Sequence, residues 1–165
     1  MTALSASQLF SIHPTVPQYR VLVVDDEHAI LFAYRKLIKP EGFIVDTCEN
    51  IQEAIDLIRL HLYLAIITDM RLSGTDNEDG IELLLSIRDI QPDARVVITT
   101  GHGSEKLKQS TQTLGVAHYF EKPVPPSSIV NVLNELRTAF LSASRMKEAD
   151  LRKKVGNNHA PAPPA

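Results

Sequence analysis

Five short apolar runs alternate with five segments of helical periodicity along this chain, and that alternation restricts the fold more than any other feature. The runs are rich in β-branched residues and of strand length, at 20–24, 43–47, 64–68, 95–99 and, more weakly, 118–120. Apolar positions three or four apart predict helices over 28–39, 50–58, 80–90, 104–114 and after the prolines at 123, 125 and 126. Strands that are apolar on both faces and alternate with helices form a parallel sheet covered on both sides. The sequence therefore predicts an α/β fold, a doubly wound (βα)5 domain with a five-stranded parallel sheet.

The length and the charge suit one such domain with tails. The chain has 165 residues and a formal net charge of −3, and a single domain leaves roughly 30 to 40 residues over. Residues 1–19 carry no charged side chain, residues 20–141 carry 12 basic and 18 acidic ones, and residues 142–165 carry 5 basic and 2 acidic ones. A nucleic-acid footprint over the whole chain is not supported by this balance, so we do not expect direct nucleic-acid binding.

Cysteine usage and hydropathy exclude two further classes. Cys48 is the chain's one cysteine, so a disulfide-stapled secreted domain is excluded. The amino terminus has no Lys or Arg before its apolar residues and is a poor signal peptide. The apolar runs are only a strand long, which predicts no membrane span. We therefore expect a cytoplasmic protein.

The residues that follow the predicted strands indicate a shared site. Asp25 and Asp26 follow the first strand, Asp69 the third, Thr100 the fourth and Lys122 the fifth. Ligand sites of such sheets lie beyond the carboxyl ends of the strands. Three carboxylates brought close repel one another unless a cation is present, which favours a hard divalent ion, above all Mg²⁺. A carboxylate beside Mg²⁺, a lysine and a hydroxyl is arranged to accept a phosphoryl group.

Four motifs in order strengthen this interpretation: VLVVDDE, IITDMRL, VVITTGHG and YFEKP. Together they resemble the receiver domain of bacterial two-component response regulators, over residues 19–141. The resemblance implies the flavodoxin-like strand order 2-1-3-4-5. It also implies that Asp69 is the phosphoacceptor, supplied by a sensor histidine kinase or a histidine phosphotransfer protein. Mg²⁺, or Mn²⁺ in its place, would be held by Asp25, Asp26, Asp69 and the backbone carbonyl of Arg71.

The resemblance implies roles for residues around the phosphoacceptor as well. Lys122 would pair with Asp69 and then with the phosphoryl oxygens, and the bond to Pro123 is one that this family usually holds cis. Thr100 would bond the acyl phosphate, and Tyr119 would be the aromatic switch that turns inward when Thr100 moves. Thr99 competes for the hydroxyl role, but strand alternation places it on the opposite side.

Two positions near the phosphoacceptor bear on how long a phosphoryl group would last. Arg71 and His102, two places beyond Asp69 and Thr100, occupy positions that in this family influence hydrolysis of the acyl phosphate. A general-base role for His102 is the less favoured interpretation, because autodephosphorylation in this family does not rely on one.

The segment after the phosphoacceptor departs from the family pattern. Ser73 replaces the usual proline, and extra residues extend the loop 73–79, which adds Asp76, Glu78 and Asp79 beside an already acidic site. One interpretation is a solvated loop of turn-forming residues. The sharper hypothesis is that these acids tune metal affinity or partner choice.

Three segments and three functions are therefore expected. Residues 1–18 form an amino-terminal arm, 19–141 the receiver, and 142–165 a basic helical extension with a Pro/Ala-rich tail. The favoured function is a phosphorylatable signalling receiver that acts on a downstream protein or on an output domain absent from this sequence. It would catalyse only its own phosphorylation and dephosphorylation and could pair as a homodimer through the face made by the fourth helix, fifth strand and fifth helix. The alternatives are a Mg²⁺-dependent aspartyl-phosphate phosphatase, whose usual general acid is replaced here by Arg71, and a docking module that is never phosphorylated.

Overall fold

The computed structural model describes residues 19–72 and 78–156. Its centre is a parallel sheet of five strands in the order β2-β1-β3-β4-β5. The strands are β1 Arg20–Val24, β2 Ile44–Cys48, β3 Ala65–Thr68, β4 Arg95–Thr100 and β5 His118–Glu121. The predicted fold class and strand order are confirmed, and the strand ends shift by one residue at several places. Thr100 is the last residue of β4 instead of the first residue beyond it.

Five α-helices connect and cover the strands. They are α1 His28–Ile38, α2 Ile51–Leu60, α3 Glu78–Ile90, α4 Glu105–Thr113 and α5 Pro126–Gly156. The side chain of Asn50 caps α2 by accepting a hydrogen bond from the Glu53 N–H at 2.9 Å. Ser104 caps α4 in the same way, so its polar sequence still forms a helix as predicted. Helix α1 ends one residue earlier than predicted, because the next residues, Lys39–Glu41, form a short 3-10 helix that contains Pro40.

The sheet is buried on both faces, as the apolar runs predict. One core cluster lies beneath α2, α3 and α4 and contains Leu22, Ile66 and Ile98. The other lies beneath α1 and α5 and contains Val23, Ile67 and Val97. Alternate residues of each strand thus pack into the two cores on opposite faces of the sheet. Because helices cover both faces, the strand ends are the edges open to a ligand.

The last helix is longer than the body of the domain requires. The α5 helix has 31 residues, and Ile129, Val132 and Leu133 in its first half are buried against the sheet. From Ser142 to Lys154 its residues are mostly exposed. The helical continuation predicted from the basic segment is therefore present. The arm 1–18 and the tail 157–165 lie outside the described residues, and no described helix is long and apolar enough to cross a membrane.

Candidate functional site

The site lies at the edge of the sheet where the parallel strands end. Asp25 directly follows β1, Asp69 follows β3 and Lys122 follows β5. The Lys122 ammonium donates hydrogen bonds of 2.8 Å to Asp25 Oδ2 and of 2.8 Å to Asp69 Oδ2. Residues 97 and 53 positions apart in sequence thereby form one ion-paired cluster.

The two carboxylates of this cluster differ in exposure. The side chain of Asp25 is 2% exposed and that of Asp69 is 11% exposed. Asp25 Oδ1 also accepts from the Glu27 N–H at 3.0 Å, and Asp69 Oδ1 accepts from the Arg71 N–H at 3.1 Å. Asp25 is almost completely covered, so Asp69 is the more accessible of the two.

Burial and ion pairing oppose each other within the cluster. Burial raises the pKa of Asp25 above its ordinary value, although the hydrogen bond from Lys122 opposes this effect. Burial also acts to lower the pKa of Lys122, but its two carboxylate partners outweigh it and raise that pKa. Two carboxylates share one ammonium, so a further positive charge beside them would be electrostatically favourable.

The third predicted metal ligand is placed differently. The side chain of Asp26 is exposed, in contrast to its buried neighbour Asp25. Within residues 19–72 and 78–156, no three acidic, histidine or cysteine side chains are grouped closely enough to hold a metal ion. The predicted three-carboxylate cluster is therefore two buried carboxylates around Lys122 and one exposed carboxylate at the rim.

The two adjacent threonines of β4 face different partners. Thr100 is fully buried, and its hydroxyl oxygen accepts from the His102 N–H at 3.3 Å. Thr99 is also buried, but its side chain interacts with the Tyr34 hydroxyl on α1. This matches the alternation argument, which separates the two hydroxyls. The side chain of His102 itself is exposed.

The predicted aromatic switch residue already has its polar end inside the protein. Tyr119 packs against the core beneath α2, α3 and α4. Its hydroxyl oxygen is buried close to the backbone of Ser104 at the start of α4. The Arg71 Nε is also buried and has no hydrogen-bond partner within the described parts of the chain. Burial raises the pKa of Tyr119. The peptide bond between Lys122 and Pro123 is cis, as expected.

Two residues at the site were not singled out by sequence reasoning. Tyr34 lines a cavity of about 700 Å³ together with Lys122 and Pro123, although the sequence marks it only as an apolar position of a helix. Gly80 lies so close to Met70 that a Cβ there would come within 2.7 Å of the Met70 backbone. The sequence signal that could have found this close approach is the glycine itself, which stands shortly after the phosphoacceptor motif. Residues 73–77 are outside the described residues, so the hypothesis about the acidic loop stays a prediction.

Known proteins share this arrangement of strands and motifs. The model of the response regulator receiver domain family matches residues 21–134. The alginate biosynthesis transcriptional regulatory protein AlgB of Pseudomonas putida is 34% identical over 149 residues, which are 88% of this chain and 33% of that protein. The chain belongs to the response regulator receiver domain family. It spans about a third of the length of the AlgB relatives.

Solved structures agree with this assignment. A CheY-like response regulator receiver domain protein from Methanospirillum hungatei superposes with a TM-score of 0.68 at 25% identity, covering 73% of this chain and 95% of that one. A response regulator from Burkholderia pseudomallei with a phosphorylated aspartic acid, a calcium ion and citrate has a TM-score of 0.65 at 23% identity, covering 87% and 88%. The chain is thus a receiver domain of the kind found in two-component response regulators, and neither the phosphatase nor the docking-module alternative is favoured.

Proposed function

We propose that Asp69 accepts a phosphoryl group from the phosphohistidine of a sensor histidine kinase or a histidine phosphotransfer protein. The observation that carries this assignment is the shared ammonium: Lys122 holds both Asp25 and Asp69, and of these two Asp69 is the more exposed. A nucleophile must be reachable by its donor, whereas Asp25 is almost completely covered. The related Burkholderia pseudomallei structure contains a phosphorylated aspartic acid, which supports the same chemistry here.

In the transfer, a carboxylate oxygen of Asp69 forms the new P–O bond while the P–N bond to the donor imidazole breaks. The electron pair of the broken bond stays on the imidazole nitrogen, which takes up a proton from solvent water. The phosphoryl oxygens carry negative charge toward Lys122, whose ammonium is already within 2.8 Å of Asp69 Oδ2. A cation fixed in advance at that point stabilises the developing charge without reorganisation. The same groups would assist the slower attack of water that reverses the modification.

We infer that a divalent metal ion binds beside Asp69, because receiver domains bind one at the phosphorylation site. Two buried carboxylates share one ammonium here, and carboxylate and carbonyl oxygens are the ligands that Mg²⁺ prefers. We assign Asp25, Asp26, Asp69 and the carbonyl of Arg71 as its ligands, with Mn²⁺ as a substitute. When bound, the ion supplies positive charge opposite the phosphoryl oxygens. Asp26 is exposed, so its side chain has to join the buried pair for this purpose.

Phosphorylation would then act on the surface formed by α4, β5 and α5. The buried Thr100 hydroxyl now accepts from the His102 N–H, and a phosphoryl oxygen would give it a new partner. Tyr119 lies on the neighbouring strand β5, and its hydroxyl is buried close to the backbone of Ser104, the residue that caps α4. A change at Thr100 would therefore bias the position of Tyr119 and the start of α4. The receiver would signal through this surface to a downstream protein or output domain, or through homodimerisation.

The assignment of Asp69 is tested by labelling with a small phosphodonor. Purified protein is incubated with acetyl phosphate and Mg²⁺, and the intact mass is measured for the parent chain, Asp69→Asn and Asp93→Asn. We expect one added phosphoryl group in the parent chain and in Asp93→Asn, an exposed control, and none in Asp69→Asn. Labelling of Asp69→Asn at the parent rate would overturn the assignment.

The ligand assignment is tested by thermal unfolding during a titration with Mg²⁺. The parent melting temperature should rise with the ion, because a ligand that binds only the folded state stabilises it. The rise should be smaller for Asp26→Asn and unchanged for Asp56→Asn, which alters an exposed carboxylate on α2. An equal rise in Asp26→Asn would remove that residue from the ligand set.

A further inference from the structure

A second groove lies at the end of the sheet opposite the phosphorylation site. Its volume is about 540 Å³, and its walls include Tyr19, Leu62, Pro92 and Phe140. Leu64 and Ala94, which directly precede β3 and β4, also line it. The groove is therefore formed by the amino-terminal ends of the strands together with the part of α5 that leaves the domain body.

The lining of this groove is mostly apolar, and the described residues leave it uncovered; its charged members are Arg20, Asp93 and Lys147. Leu62 is 84% exposed and Phe140 is 51% exposed. Tyr19 packs edge-on against Phe140 with the ring centroids 5.7 Å apart, which joins the first described residue to α5. Two large apolar side chains exposed in one groove favour a contact there.

The chain itself supplies a matching segment. Tyr19 lines the groove, and the residues that precede it in sequence include Leu9, Phe10, Ile12 and Val16. Residues 1–19 contain no charged side chain, so burying them removes no charge from water. The ten residues before Tyr19 reach about 33 Å when extended, which is ample to cross the groove and return.

We propose that the segment 9–17 of the amino-terminal arm docks in this groove, with Phe10 or Ile12 against Leu62 and Phe140. The arm is joined to the groove wall at Tyr19, so its effective concentration there is in the millimolar range, above that of a separate molecule. Docking would cover the apolar wall of the groove and attach the arm to α5 near Phe140, where the helix begins to extend beyond the sheet. The docked arm would not touch Asp69, because that residue lies at the carboxyl ends of the strands and the groove lies at their amino-terminal ends.

The first test uses the full-length chain with one fluorescent reporter. The protein has no tryptophan, so Phe10→Trp reports on the arm alone. Leu62→Glu places a charge in the groove wall, and Leu60→Glu is the matched control, since Leu60 is 74% exposed and does not line the groove. We expect the indole emission of the Phe10→Trp reporter to shift to the red and its acrylamide quenching to increase with Leu62→Glu, and neither to change with Leu60→Glu.

A second test keeps the native Phe10 and measures chymotrypsin cleavage within the arm. If the docked state is about ten times as populated as the open one, cleavage is about tenfold faster in Leu62→Glu than in Leu60→Glu. Equal cleavage and equal quenching in both variants would overturn the proposal. Quenching protection that appears only as protein concentration rises would overturn it too, because the groove would then hold the arm of a second copy. Acetyl phosphate labelling should be the same in both variants, which separates this proposal from the assignment of Asp69.

Discussion

Replacing Lys122 with methionine tests the electrostatic account of the site most directly. The substitution keeps a side chain of similar length but removes the ammonium that lies 2.8 Å from both Asp25 and Asp69. Breaking a buried ion pair by removing one partner costs about 3 to 5 kcal/mol. The lysine side chain is 21% exposed, which places the expected loss of unfolding free energy near the lower limit, about 3 kcal/mol at pH 7.

The loss should depend on pH with a definite sign. Burial raises the pKa of Asp25 and Lys122 opposes that effect, so removing the lysine raises the pKa further. A carboxyl group whose pKa is higher in the folded state than in the unfolded state keeps its proton up to a higher pH in the folded state. The unfolding free energy of the variant therefore falls as the pH rises from about 4 to the folded pKa, by at most about 1.4 kcal/mol per pH unit for one proton.

Urea unfolding followed by far-ultraviolet circular dichroism provides the measurement. It is made at pH 5 and pH 7.5 with EDTA present, so that no divalent ion replaces the missing ammonium. Lys106→Met, at an exposed position of α4, controls for loss of a lysine without the ion pairs. Adding Asp25→Asn to the Lys122 variant should recover much of the loss at pH 7.5. A deficit that is equal at both pH values, or equal to that of the control, would refute the reasoning.

Three further outcomes follow from packing and burial. Gly80→Ala should lower the unfolding free energy by about 1 to 3 kcal/mol, because the added Cβ would meet the backbone of Met70. Gly101→Ala adds its Cβ in open space and should change the unfolding free energy by less than about 0.5 kcal/mol. Chemical denaturation measures both variants. Gln91→Ala should cost about 2 to 4 kcal/mol, because the buried side chain hydrogen-bonds three backbone groups around the end of α2, and exposed Gln52→Ala is its control under the same assay. Burial raises the pKa of the Cys48 thiol to about 12, so a disulfide reagent at pH 8 should label it only after denaturant is added, and rapid labelling of the native protein would contradict that placement.

Much of the fold could be predicted because the relevant signals are local. The apolar run Arg20–Val24 predicts a strand on its own, and the Asn50 and Ser104 caps begin their helices by satisfying nearby backbone N–H groups. The end of α1 was missed by one residue because a proline permits a 3-10 turn where a helix would stop. Local rules thus settle which elements exist and leave their last residues uncertain.

The candidate site, too, could be predicted only in part from the sequence. Asp25, Asp69, Thr100 and Lys122 are recognisable from the sequence because each stands where a strand ends, and parallel strands end at one edge. That Lys122 holds two carboxylates at once, while Asp26 stays exposed, depends on side chains from separate strands and could not be predicted from spacing.

The sequence by itself determined the five alternating units, their parallel sheet and the set of polar residues at its edge, because periodicity and strand-end position are properties of neighbouring residues. The tertiary structure alone decided which of those residues touch and which carboxylate is covered. It also placed Tyr34 in one cavity with Lys122 and brought Gly80 against the backbone of Met70. It also decided that Tyr19, Leu62 and Phe140 form one groove at the far edge of the sheet. The physical reason is that burial and ion pairing arise between chain segments that are distant in sequence, so their strength depends on packing that no single segment specifies.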